Sequence, residues 1–514
     1  MTIPHLTCGE LARASGCRLA AGDPATVVTA VTHDSREARP GACFVAVNGF
    51  KRDGVAFVPE ALRRGATAFL VAELDAPRVM SALPPTVALL ADDDPRAALP
   101  RLAAALYRHP ARSLLVVGVT GTDGKTTTCY AIAHLLRAAG WRGGLVSGVD
   151  IVVDGAPVLN RSGLTTPEAP VVQDALAGIR DAGGTFAVLE ATSHALSLHR
   201  LDECQFDVAV FTNLTPDHLD FHRTVADYAA TKARLFAMLD APSAKPWPRL
   251  AIGNAASPWW PRMRSATSRP ALTYGIGLAA DLAADEPQLS AAGARFTVAW
   301  RGTRREVRTR LLGRFNVENA LATMATGLAL GLPWETVSDA IGAFPGSPGR
   351  MEIIDLGQPF TCVVDAASTA DSFRQALATL RPLTRSRLIV VFGCAGERDP
   401  ARRDGMGAVA AELADFAVLT DENPRTEDRM AIIHRIAAAM EAGGRRERVD
   451  YVKIADRRAA IVEALRRARP GDLVLLAGKG REPTLIFAET AHPWDDRTEL
   501  ERALRDRGFA APRG

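Results

Sequence analysis

The chain has 514 residues, 47% of them hydrophobic and 23% charged, so it holds ample core material and is neither disordered, collagen-like nor a disulfide-stapled miniature. Its 61 basic and 58 acidic side chains leave a formal charge of +3, with no basic tract to mark a partner for nucleic acid or a membrane surface. Seven cysteines without a C-x-x-C pair suit reduced thiols better than a disulfide framework.

The amino terminus lacks the basic-then-apolar layout of a secretory signal, and no apolar run approaches the ~18 residues of a membrane span, so a cytoplasmic protein without membrane insertion is expected. Over residues 1–108, short β-like runs at 42–47, 68–71 and 87–90 alternate with helical stretches, the pattern of a first α/β domain. Asp94-Pro95 reads as the cap and first position of a helix, which Pro100 is expected to kink or restart.

A second α/β domain, 109–345, opens on the buried strand 114–119 and continues with strands at 186–189 and 208–211. Prolines, tryptophans and weak strands between about 240 and 310 predict a peripheral excursion with an antiparallel edge. The run Phe344-Pro345-Gly346-Ser347-Pro348-Gly349 marks a break. In the third domain, 346–514, strands at 388–392, 416–419 and 473–476 alternate with helices and predict a mainly parallel sheet.

The sharpest local signal follows the 114–119 strand, where Gly121-Thr122-Asp123-Gly124-Lys125-Thr126-Thr127 leads into a helical pattern. Glycines let backbone N–H groups turn toward phosphate oxygens, and a helix amino terminus adds partial positive charge. Lys125 would then reach the β/γ-phosphates and Thr126 would offer its hydroxyl to Mg²⁺. Val119 stands where the strict P-loop spacing has its first glycine. The loop alone leaves an ATPase motor, a kinase and a ligase open.

Glu190 lies at the carboxyl end of a strand run, where α/β sheets place their ligands. Downstream, Pro216 is placed to begin a helix, on which His218 and His222 at i,i+4 would share a face. Three readings stand: a zinc pair lacking a third ligand, hydrogen-bonded core or capping histidines, or a hard-cation site of Glu190 and His218 beside the nucleotide. Spacing alone makes Lys232 an ordinary surface helix lysine.

Taken in order, GTDGKTTT (121–128), EATSH (190–194), TNLTPDHLDFH (212–222), YAATKARLF (228–236), GRFNVENALA (313–322) and PGRME (348–352) resemble the Mur ligases. HDSR (33–36) in the first domain agrees, as do FGCAGERD (392–399), DENPR (421–425) and GKGRE (478–482) in the third. The likeness covers essentially the whole chain and is nearest the branch that adds a diamino acid to UDP-MurNAc-L-Ala-D-Glu.

The resemblance implies a three-domain α/β architecture: a UDP-sugar-binding domain, a central P-loop ATPase domain and a Rossmann-like carboxy-terminal domain. It implies that ATP phosphorylates the D-Glu γ-carboxylate, and that an amine attacks the acyl phosphate to give an amide, ADP and phosphate. Carried over by position, Thr126, Glu190 and His218 are implied Mg²⁺ ligands, joined by Lys232 as a carbamate. Thr165, Thr166, Thr192 and Arg200 fall at the nucleotide-sugar peptide, and Ser35, Phe50, Lys51 and Arg52 at the uridine diphosphate. Asn316, Arg350 and Asp365 fall around adenosine and its phosphates.

For the incoming amino acid the family's positions are Arg403, Asn423, Pro424, Arg425, Gly478 and Glu482. Arginine at 425 favours meso-diaminopimelate over L-lysine, because a guanidinium clamps a second carboxylate and repels a second ammonium. A monomer is expected. The sequence departs from the family in Asp365-Ala366-Ala367-Ser368-Thr369-Ala370-Asp371, where a tyrosine, a histidine and a proline are usual. It departs again at Ala256-Ser257 (usually two aspartates), Arg481 (histidine), Glu422 (aspartate) and Asp123 (asparagine). Those changes keep open a ligase recruited to another carboxylate and amine, or a non-catalytic relative that retains the fold.

Overall fold

The strand runs read from the sequence are all strands, within two residues of their expected ends: Ala42–Val45, Ala68–Ala72, Ala88–Asp92, Leu115–Thr120, Phe186–Glu190, Val208–Phe211, Leu388–Phe392, Phe416–Leu419 and Leu473–Ala477. The computed structural model describes residues 4–49, 53–160, 162–290 and 292–510. By internal contacts the chain forms two units. The first runs to Ala284 and takes in Ala299–Thr303 and Glu318–Ala340, while the second holds Asp285–Val298, Arg304–Val317 and the chain from Ile341 onward.

Besides the short pairing of Leu6–Thr7 with Val27–Val28, the first unit carries an amino-terminal and a central sheet. The amino-terminal one runs in the order Arg18–Ala21, Ala88–Asp92, Ala68–Ala72, Ala42–Val45, Ala30–Thr32, parallel except at Arg18–Ala21. Behind it lies the helix Pro95–Leu106, with Asp94 accepting from the backbone N–H groups of Arg96 and Ala97. That helix runs through Pro100, so the proline does not restart it. A proline there costs the bond to the first-turn carbonyl of Arg96, but burial of Leu99, Leu102, Ala103 and Leu106 outweighs it.

In the central sheet Leu115–Thr120 lies between Phe186–Glu190 and Val208–Phe211, all parallel. Leu250–Asn254 and Ala271–Ile276 extend it in parallel on one side. On the other, Gly143–Val146 is parallel, and a hairpin of Asp150–Val153 with Ala156–Leu159 adds an antiparallel edge that the sequence reading missed. Two features of the 240–310 region thus separate: Ala271–Ile276 is a parallel strand, whereas Gln288–Ser290 and Gly293–Trp300 form the expected antiparallel pair.

The second unit is built on the sheet order Glu352–Ile354, Thr361–Asp365, Leu473–Ala477, Leu388–Phe392, Phe416–Leu419, Tyr451–Lys453, parallel except for the first strand. Both faces are covered, giving two apolar clusters around the same strands, as a parallel sheet requires. All seven cysteines are free and buried. Burial pushes Cys8 and Cys17 to about 11 and Cys362 and Cys394 to about 12. Among the described residues no helix is long and apolar enough to cross a membrane.

Candidate functional site

The phosphate loop leaves the strand Leu115–Thr120 and enters the helix Lys125–Ala138. Two glycines make the turn possible. Gly124 sits at φ +80° against Asn319, and a Cβ on Gly121 would strike the Thr212 hydroxyl. The loop is laced to the end of the neighbouring strand: Thr122 N–H donates to Asn213 O (3.0 Å), Asp123 N–H to Asn213 Oδ1 (2.9 Å), and Thr212 Oγ1 to Asp123 O (2.6 Å). Lys125 folds back, its Nζ donating to the carbonyls of Gly121 (3.1 Å) and Thr122 (2.7 Å). Thr126 and Thr127 are buried in the first helical turn.

Lys232 is no surface lysine. It is 1% exposed on the helix Val225–Ala237, and its Nζ donates to Gly121 O at 2.6 Å. Tyr228, one turn earlier, lays its ring 4.3 Å from that nitrogen and brings its hydroxyl within 3.3 Å of Thr122 Oγ1. Burial, and after it the Lys125 charge, hold the Lys232 amine well below the ordinary lysine range. Sequence reasoning missed Tyr228, although its i,i+4 spacing to Lys232 was a usable signal.

Glu190 ends its strand level with Val119, fully buried, with the N–H of Gly148 donating to its Oε2 (3.3 Å). Beside it, Thr166 Oγ1 donates to Glu190 O (2.8 Å) and meets Thr192 Oγ1 (3.0 Å). Arg200 Nη1 donates to Thr166 O (3.2 Å), and its Nε lies 2.8 Å from Glu168, a carboxylate that Arg96 approaches at 3.9 Å. Four expected positions thus fall together here; Thr165 is the exposed neighbour of Thr166. In the amino-terminal domain the Ser35 hydroxyl donates to Glu60 (2.8 Å). Phe50, Lys51 and Arg52 lie outside the described residues.

The histidines correct the expected helix. It starts at Leu219, not Pro216, and His218 precedes it at φ +53°, its N–H donating to Asp217 Oδ1 (2.8 Å). A left-handed residue cannot belong to the helical face, so His218 and His222 do not share one. The His194 ring lies near both, 4.9 Å from His218 and 5.7 Å from His222. Among the described residues no three His, Cys, Asp or Glu side chains could by themselves hold a metal. The chemistry of Glu190, His218 and the Thr126 hydroxyl would suit Mg²⁺, which keeps waters and takes substrate phosphates, better than a zinc cage.

In the second unit Asp365 ends the strand Thr361–Asp365, accepting from the N–H groups of Met351 and Ala367 (both 2.8 Å). Arg350 is exposed, and buried Asn316 donates to Leu312 O (2.8 Å). Residues in and beside the departures have partners. Arg402 donates to the carbonyl of Ser368, Thr369 caps the helix Ala370–Leu380, and Arg481 pairs with Asp495 at 3.4 Å.

The same unit gathers most of the expected amino-acid positions. Asn423 Nδ2 donates to Glu482 Oε2 (2.9 Å), and Lys479, which sequence reasoning did not single out, donates to both. Arg425 holds φ +54° while its N–H donates to Ile486 O (3.0 Å) and Nη1 reaches Gly396 O (3.4 Å). Arg403 is buried and paired with Glu427 (2.8 Å), and Pro424 is buried beside Asn423. Glu422 is buried too, with Oε2 lacking a hydrogen-bond partner among the described residues and lying 3.4 Å from where a Cβ on Gly478 would stand. Burial first, and the Glu482 carboxylate second, push Glu422 up to about 7.

Three family models match the chain in order: "Mur ligase family, catalytic domain" over residues 27–107, "Mur ligase middle domain" over 119–327 and "Mur ligase, glutamate ligase domain" over 349–480. A UDP-N-acetylmuramyl-tripeptide synthetase of Roseiflexus sp. (strain RS-1) is 44% identical over 94% of this chain and 95% of its own. A UDP-N-acetylmuramoyl-L-alanyl-D-glutamate–2,6-diaminopimelate ligase of Streptomyces coelicolor is 40% identical over 95% and 94%. A solved structure of a ligase with that same name superposes with a TM-score of 0.67 at 30% identity, covering 98% of this chain and 100% of that one. With identity at this level sustained over nearly its full length, the chain belongs to the Mur ligase family.

Proposed function

We propose that the chain is an ATP-dependent ligase that joins a diamino acid, meso-diaminopimelate, to the D-Glu γ-carboxylate of UDP-MurNAc-L-Ala-D-Glu in peptidoglycan synthesis. The observation that carries the reading is the pairing of a phosphate loop with a fully buried lysine on the carbonyl of Gly121. The relatives named as diaminopimelate ligases support it over nearly their whole length.

In this reading Lys125 exchanges the carbonyls of Gly121 and Thr122 for phosphate oxygens when ATP binds. Thr166, Thr192 and Arg200 hold the peptide so that a D-Glu carboxylate oxygen faces the γ-phosphorus. That oxygen bonds to phosphorus as the bond to ADP breaks, which converts a poor leaving oxygen into phosphate. The amine then bonds to the acyl carbon, phosphate departs and the amine proton is released. Lys232 adds through its neutral amine to CO₂, losing a proton and becoming a carbamate. Thr126, Glu190, His218 and that carbamate would hold Mg²⁺, which when bound neutralises the charge crowded between carboxylate and triphosphate.

Arg425 selects the amino acid by clamping its second carboxylate. Arg425→Ala should lower kcat/KM for meso-diaminopimelate by about ten- to a hundredfold, the loss of a charge-assisted hydrogen bond, and leave KM for the nucleotide-sugar unchanged. Equal losses for both substrates would remove the clamp. The decisive test mixes protein, ATP, Mg²⁺ and UDP-MurNAc-L-Ala-D-Glu with either meso-diaminopimelate or L-lysine and resolves the products by mass spectrometry. A diaminopimelate adduct with matching ADP is expected. A lysine adduct would discard the Arg425 selection, and no adduct from folded, ATP-binding protein would overturn the substrate assignment.

A further inference from the structure

Lys479 is carried on a turn between Gly478 at φ +104° and Gly480 at φ +52°, which aims its side chain inward until the residue is 1% exposed. Its ammonium has three protons and meets three acceptors: Asn423 Oδ1 (3.0 Å), Glu482 Oε2 (2.5 Å) and Thr484 O (2.5 Å). The first two belong to side chains placed in the amino-acid subsite, from segments 59 positions apart.

The orientation of an amide is ordinarily ambiguous, because its oxygen and nitrogen look alike. At Asn423 it is fixed by chemistry. Two donors converge on one atom, Lys479 Nζ and the backbone N–H of Ile486, each at 3.0 Å. Only an oxygen can face both, since the flipped amide would set an NH₂ against an ammonium and a backbone N–H. The other end is then the donor: one Nδ2 proton goes to Glu482, and among the described residues no second acceptor takes the other. A group that binds there must be an acceptor, as an amino acid's carboxylate is.

We propose that Lys479 is a positioning residue of the amino-acid subsite, locking Asn423 with its N–H₂ end presented to the carboxylate of the incoming amino acid while holding Glu482 in place. The inference rests on the ligase reading above and assigns the lysine no contact with the reacting atoms. Without the ammonium the Ile486 N–H alone holds the Asn423 oxygen inward, so a flip that sets the oxygen against the carboxylate is opposed by one donor instead of two, and Glu482 loses its counter-charge.

The test compares Lys479→Met with wild type using two acceptors, meso-diaminopimelate and hydroxylamine. Hydroxylamine attacks an acyl phosphate to give a hydroxamate and carries no carboxylate to be positioned. KM for diaminopimelate should rise about tenfold or more, the scale of one lost buried partner, while hydroxamate formation with ATP and UDP-MurNAc-L-Ala-D-Glu stays near wild type. In an Asn423→Ala background the same substitution should add less than its full effect, because the two act as one unit.

An unchanged KM for diaminopimelate, or full additivity in the double variant, would overturn the positioning role. So would loss of hydroxamate in step with loss of ligation, which would make Lys479 a residue of general stability. Wild-type protein that gives neither hydroxamate nor adduct would instead fail the ligase reading, and the proposal with it.

Discussion

Lys232→Ala is expected to lower turnover about a hundred- to a thousandfold, ~3–4 kcal/mol of transition-state stabilisation, in the range of losing one electrostatic group aimed at the reacting phosphate. The lysine is desolvated, donates to Gly121 O and lies beside Lys125, so a permanent ammonium there would add to positive charge already in the loop. Arginine separates the two explanations. Lys232→Arg keeps a cation but cannot form a carbamate, and should be as inactive as alanine. Steady-state ADP release would be measured beside an unfolding curve. Substantial activity in Lys232→Arg would mean that charge alone suffices, and full activity in Lys232→Ala would end the assigned role.

The second large effect concerns stability and pH. Glu422, raised from 4.5 to about 7 in the folded protein, binds its proton more tightly folded than unfolded. Its contribution is therefore fully present below pH 4.5, is lost as pH rises through 7, and stays lost above. A shift of that size corresponds to roughly 3 kcal/mol. Glu422→Gln cannot ionise, so its stability relative to wild type should rise by about that amount between pH 4.5 and pH 8. The readout is the change in the difference between the two denaturation midpoints, which removes the other titrating groups. Curves that run parallel across the range would show that Glu422 does not carry the buried proton.

Much of this architecture could be read from the chain because parallel strands buried on both faces are written as continuous apolar runs. Leu388–Phe392, Phe416–Leu419 and Val208–Phe211 have the bounds expected. Edge strands carry no such mark, so Asp150–Val153 and Ala156–Leu159, the latter mostly exposed, were not found. Pro100 does not restart its helix because packing overrides the local propensity. His218 misled because helical spacing was assumed across a residue that the fold holds left-handed.

The site was legible where chemistry leaves a spaced motif, as in the phosphate loop. It was illegible where burial decides, because nothing local distinguishes Lys232 or Lys479 from a solvated lysine. Resemblance supplied the first of these and not the second. The altered run at 365–371 was legible as a departure, but its consequence required the structure, in which Arg402 takes the carbonyl of Ser368.

The burial of every cysteine has a kinetic consequence. A thiol closed off from solvent and pushed toward its protonated form reacts with an alkylating reagent only while the surrounding structure is open. Cys8, Cys17 and Cys43 sit around the amino-terminal sheet, Cys129 and Cys204 in the central region, and Cys362 and Cys394 in the second unit. Labelling followed residue by residue is therefore a clock with seven hands. At saturating reagent each site reports the rate at which its own neighbourhood breathes, without any engineered probe.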